Sequence, residues 1–84
     1  MKPGDLIEWV YSNSQPVLED EKLWSTPMNR WVQIGVHPMM LISMTDELYV
    51  WLTPDGLFNA RVADTGGVIA GEYGVFPRVV GEHR

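Results

Sequence analysis

Few side chains in this sequence carry catalytic chemistry, and their spacing does not assemble them. His37 and His83 are the two histidines, and there is no cysteine. A metal centre needs three or four converging ligands. Two distant imidazoles with no thiolate do not supply them, so no metal is expected. A thiol nucleophile and a disulfide are excluded by the same composition. Asp46-Glu47 has the form of a carboxylate pair for acid–base work, but it sits in a turn between strand-like segments, where water solvates it. Glu19-Asp20-Glu21 reads as a solvated acidic face, or as a receiver for a basic partner. Gly66-Gly67-Val68-Ile69-Ala70-Gly71 has phosphate-loop glycines without the lysine or the following helix, and reads as a connector. The nucleophile-elbow, zincin, P-loop and calcium-loop patterns are missing from the sequence. The expectation is a protein without a catalytic residue or cofactor, and not an enzyme.

Binding chemistry is better represented. Arg61 and Arg78 stand out in an acidic chain; each pairs with a surface carboxylate such as Asp64 or Glu72, or offers its planar donor fork to an anionic partner. Trp24, Met28, Arg30 and Trp31 gather types enriched at protein interfaces within KLWSTPMNRW. Around them lie Ser25, Thr26, Pro27 and Asn29, which usually write loops. Buried indoles there would cap the chain's own core or pack on an adjacent copy; exposed ones would stack a base or dock a peptide.

Size and charge narrow these options. Eighty-four residues with 45% apolar and 20% charged side chains describe one small globular domain. Four tryptophans and five methionines exceed what one small core needs, and no disulfide helps, so a homo-oligomer is expected. The net charge is −5 and no basic stripe exists; residues 25 to 45 carry Arg30 as their one charge. General nucleic-acid affinity is therefore disfavoured. The longest apolar run, Pro38 to Ile42, is too short to span a membrane. The opening MKPGD turns polar at once, unlike a secretory signal, and an intracellular protein is expected.

The elements that must position these residues are short strands. Leu6 to Tyr11 is rich in branched and aromatic residues. Met39 to Met44 is continuously apolar, which predicts burial on both faces. Leu48 to Leu52 alternates Leu48, Val50 and Leu52 against Tyr49 and Trp51. Thr53-Pro54-Asp55-Gly56 predicts a type I turn into Leu57 to Ala63, with Phe58, Ala60 and Val62 inward. These three strands make an antiparallel meander. After a glycine-rich loop, Val75 to Val80 is a last strand, and Pro77 places it at an edge or a bulge. Between Ser12 and Val36 two readings stand: one or two helical turns from Gln15-Pro16 through VLEDEKLW, or a loop. Trp31 to Ile34 has the composition of a strand. The fold expected is all-β: a small, strongly bent, five-stranded antiparallel barrel of Sm-like or SH3-like form in one domain, residues 1–84.

KPGDLIEWVY, EDEKLWSTPMNRWVQIG and MLISMTDELYVWLTPDGLFNARV together resemble small Sm-like barrel proteins of cyanophage origin. The resemblance implies a bent five-stranded barrel whose edge strands pair between copies to close a ring, a pentamer in form, in the host cytoplasm or a virion. No activity comes with it. Ring contacts are expected from the last strand, through Val75 and Phe76, helped by Trp24, Met28, Arg30 and Trp31. Sm proteins bind uridine-rich RNA through a loop aspartate and asparagine with an arginine–glycine pair. Here Asp46 has no asparagine after it in that arrangement, and Arg78 is separated from Gly81 by Val79 and Val80. RNA binding through Asp46, Arg61 and Arg78 is thus the alternative to a non-enzymatic ring subunit.

Overall fold

The computed structural model describes residues 1–35, 39–70 and 73–80. Eight strands occupy them: β1 (Leu6–Tyr11), β2 (Lys22–Ser25), β3 (Arg30–Gln33), β4 (Met39–Met44), β5 (Leu48–Thr53), β6 (Gly56–Arg61), β7 (Val68–Ala70) and β8 (Tyr73–Val79). No helix forms among the described residues. Six strands join one antiparallel sheet in the order β6-β5-β4-β1-β8-β7, and β2 and β3 form a separate hairpin. β2 lies against both β6 and β7, the two margins of the sheet. The barrel is thus nearly closed by its ladder, and side chains of the hairpin fill the remaining seam.

β4, β5 and β6 form the expected meander, with Leu41 opposite Trp51 and Trp51 opposite Phe58. Thr53 faces Gly56 across Pro54-Asp55, and the Thr53 hydroxyl accepts the Asp55 N–H at 3.1 Å. Gly56 takes φ of 128°, a region that favours glycine. A register shift between Leu41 and Ser43 inserts an extra residue into β4, which bends a strand and increases its twist.

Tyr49, Trp51, Phe58 and Ala60 turn inward with Ile7, Trp9, Met39, Leu41 and Val75, while Leu23, Val32 and Ile34 come from the hairpin side. Trp9 and Trp51 meet edge to face, 5.1 Å between centroids. Neither indole N–H finds an acceptor among the described residues. Leaving such a donor dry costs about 1–3 kcal/mol, so these rings stabilise the barrel by bulk rather than by hydrogen bonding.

Four expectations are corrected. Met39–Met44 is buried on one face only: Met39 and Leu41 point in, while Met40, Ile42 and Met44 are exposed. The helical reading of residues 15–24 fails, because Pro16 bridges Val10, the Val17 N–H donates to the Trp9 carbonyl at 3.1 Å, and the chain enters β2 extended. The sheet has six strands rather than five, since the glycine-rich loop contributes β7, which pairs with Tyr73 to Val75. β8 therefore lies inside the sheet, between β1 and β7. Pro77 is tolerated because β7 ends at the level of Val75, and the backbone of 76–79 meets β1 alone among the described strands.

The outward face carries a row no single strand announces. Leu6, Met40, Leu52 and Leu57 lie directly opposite one another across β1, β4, β5 and β6. Val80 donates its N–H to the Leu6 carbonyl and extends the row. All five are 39–54% exposed. Behind the hairpin, a Cβ on Gly35 would collide with the backbone of Leu18 and Glu19, so only glycine lets the chain pass there.

Candidate functional site

The hairpin of β2 and β3 holds most of the residues with binding chemistry. Its turn is made by the residues that looked like a loop. The Ser25 hydroxyl accepts the Met28 N–H at 3.2 Å, and the Asn29 N–H donates to the Thr26 carbonyl at 3.3 Å. Asn29 takes φ of 56°, a conformation its short polar side chain tolerates. Ser25 is fully buried and donates to Asn59 Oδ1 at 3.2 Å, which ties the turn to β6.

Trp24 and Trp31 therefore do not lie in a loop; they stand opposite each other on paired strands, with ring centroids 5.5 Å apart at 78°. Cross-strand aromatic pairs of this kind contribute about 0.5–1.5 kcal/mol beyond area burial. Their alternating neighbours Leu23, Ser25 and Val32 are buried, while Trp24 and Trp31 are 45% and 60% exposed. Capping of the core falls to Leu23 and Val32, and burial of the two indoles within their own chain is overturned. Met28 is half-buried against the core. The Arg30 guanidinium lies 5.2 Å from the centre of the Phe58 ring, a cation–π arrangement. Lys22 shares the outward face of β2 with Trp24. Arg61 and Trp24 line a cleft of ≈ 210 Å³ with Thr26, Val62, Ala63, Val68 and Ile69. Lys22 and Arg61 thus flank the indole pair, while Arg30 lies on the other face of the hairpin.

The other expected contacts are placed elsewhere. Val75 is fully buried, opposite Tyr11 on one side and Val68 on the other, so it is a core residue. Phe76 is half-buried, with its ring beside Gly67. Arg78 binds Glu8 through both Nε and Nη2, and its Nη1 donates to the Ser14 carbonyl at 3.1 Å. The expected partners Asp64 and Glu72 are replaced by Glu8, because β1 and β8 set Glu8 directly opposite Arg78. Asp46 lines a second cleft, of ≈ 420 Å³, with Met44, Tyr49, Val62, Ala63 and Asp64. Asp46, Arg61 and Arg78 are not gathered into one site. His37, Glu72, Gly81 and His83 lie outside the described residues. Among those described, no group of three His, Asp or Glu is placed to hold a metal.

Glu21 corrects the reading of residues 19–21 as a solvated run. Its Oε2 accepts from Tyr73 at 2.6 Å and from Tyr11 at 2.8 Å, and the two tyrosine rings meet edge to face. The cluster straps the approach to β2 onto β1 and β8. No spacing in the sequence announces it, since the three residues come from separate segments. The Tyr73 bond, more than that of Tyr11, holds the Glu21 carboxyl below its ordinary 4.5, against the opposing effect of burial. The same carboxylate pushes the Tyr73 hydroxyl well above its ordinary 10. Tyr49, raised by burial, donates to the Gly66 carbonyl at 2.7 Å.

A depressed carboxyl contributes stability above its unfolded pKa and loses it as pH falls through the lower folded value. The melting temperature should therefore fall between about pH 5 and pH 3, and less steeply in Glu21→Gln. Circular-dichroism melts across that range check it; parallel curves would remove Glu21 from the acid response.

No family model, curated protein or solved structure matches the chain. The function is therefore argued from its own surfaces.

Proposed function

We propose that the chain is a non-enzymatic Sm-like subunit of phage type that assembles with copies of itself into a ring. One observation carries this reading: Trp24 and Trp31 are paired on rigid strands yet about half exposed. Large aromatics displayed together on an ordered surface mark an interaction site. The outward row of Leu6, Met40, Leu52, Leu57 and Val80 adds apolar area that an assembly would cover. An open ladder edge supports pairing between copies: 76–79 borders only β1 among the described strands. A pentameric ring in the host cytoplasm or a virion belongs to the same proposal.

Light scattering at micromolar concentration tests it. A mass several times the 9.5 kDa of one chain is expected. A monomer across the accessible concentration range would overturn it.

A second reading, single-stranded nucleic-acid binding, is favoured by the cations around the indole pair, since stacking platforms combine aromatics with positive charge. It predicts salt-sensitive retention of oligouridine. No retention at low salt would remove it.

A further inference from the structure

Among the described residues, the cations of the tryptophan hairpin and its cleft have no acidic counterpart. Glu8–Arg78 is the one ion pair among the described residues, which leaves Lys22, Arg30 and Arg61 without a carboxylate partner there. This is unexpected in a chain of net charge −5. The carboxylates are not far away in sequence. Asp64 follows Arg61 by three residues, yet the two side chains face different clefts that meet at Val62 and Ala63. One cleft presents Trp24 and Arg61. The other presents Asp46 and Asp64 over Met44 and Tyr49, and no Lys or Arg lines it.

We infer that the occupant of the tryptophan hairpin is a second copy of this chain, whose Asp46–Asp64 cleft receives Trp31 and Lys22. This rests on the self-assembly reading above and names the two surfaces that meet. Trp31 is the more exposed indole, and Lys22 lies on the same outward face of the hairpin, diagonally across the β2–β3 ladder from it. The receiving cleft is large enough for one bulky side chain, and Met44 offers it an exposed thioether that contacts aromatic rings favourably. The Lys22 ammonium meets carboxylates that are free of other ion pairs among the described residues. Charge complementarity also selects this occupant over an acidic partner for the same cleft, since like charges placed together are repelled. Each copy carries both surfaces, so the contact forms twice between two copies or once per copy around a ring.

Charge exchange tests the pairing. Lys22→Glu and, separately, Asp46→Lys with Asp64→Lys change exposed side chains, and each variant should keep the parent far-ultraviolet spectrum. Each alone should raise the concentration at which the assembly dissociates by about tenfold or more. Mixed in equal amounts they should regain much of the lost affinity, because the reversed hairpin of one then faces the reversed cleft of the other. Folded variants that fail to recover on mixing, or that assemble undiminished when alone, would overturn the pairing and leave self-assembly standing. A parent chain that is itself monomeric would overturn both.

Discussion

Trp51→Ala should melt at least about 12 °C below the parent chain. Trp51 is fully buried at the centre of β5, opposite Leu41 on β4 and Phe58 on β6. Its ring lies 5.1 Å from Trp9 and 6.3 Å from Phe58, so it joins strands from both halves of the sheet. Truncating such a ring costs about 3–5 kcal/mol through lost transfer energy and the cavity left behind. Small domains hold only about 5–15 kcal/mol in total, so the loss takes a large share of it. Trp51→Phe should fall by much less. It keeps an aromatic ring in the layer and removes an indole N–H that has no acceptor among the described residues. Thermal denaturation of the three proteins decides it. An alanine variant within a few degrees of the parent would show that the barrel collapses around the gap, and that Trp51 is not its keystone.

Trp24→Ala combined with Trp31→Ala should do the opposite: the fold remains and the assembly is lost. Both indoles point away from the core, which Leu23 and Val32 cover from the other face of the same hairpin. Removing them forfeits the cross-strand aromatic contact, about 0.5–1.5 kcal/mol within the chain. Between chains the loss is larger, because exposed aromatics at the centre of an interface are typical sites of ≥ ~2 kcal/mol on truncation. Light scattering should report a mass near that of one chain, with the far-ultraviolet spectrum preserved. An unchanged assembly mass would sink the role given to the hairpin, and the apolar row through Met40 and Leu52 would then be the surface to test.

These two sets of tryptophans show how far the residues alone could be read. Alternation in Leu48 to Leu52 assigned Tyr49 and Trp51 to one face, and β5 turns that face into the core. The Thr53-Pro54-Asp55-Gly56 signal placed the turn between β5 and β6. Such features are local: a period of two and a proline–glycine turn need no partner strand to be recognised. KLWSTPMNRW was harder, because six turn-forming or mixed residues mask two four-residue strands that are stabilised only by pairing with each other. Trp24 and Trp31 stand out as contact residues, buried in their own core or against another copy, but their display side by side on a strand pair is not legible there. The Glu21 cluster was invisible for a related reason. Tyr11 and Tyr73 reach it through β1 and β8, which pair across most of the chain's length.

By itself the sequence determined that the chain builds an all-β barrel from short strands, where its central meander lies, and which residue types had binding chemistry. Those follow from local stereochemistry and from the alternation of side chains along an extended backbone. Only the tertiary structure decided that the hairpin fills the seam between β6 and β7, and that Val75 is core while Trp31 is surface. It also put Arg78 with Glu8 and lined Leu6, Met40, Leu52 and Leu57 into one exposed row. The reason is register: which residues face one another across strands depends on a bulge in β4 and on pairings between distant segments. A one-residue slip would exchange every inward side chain for an outward one.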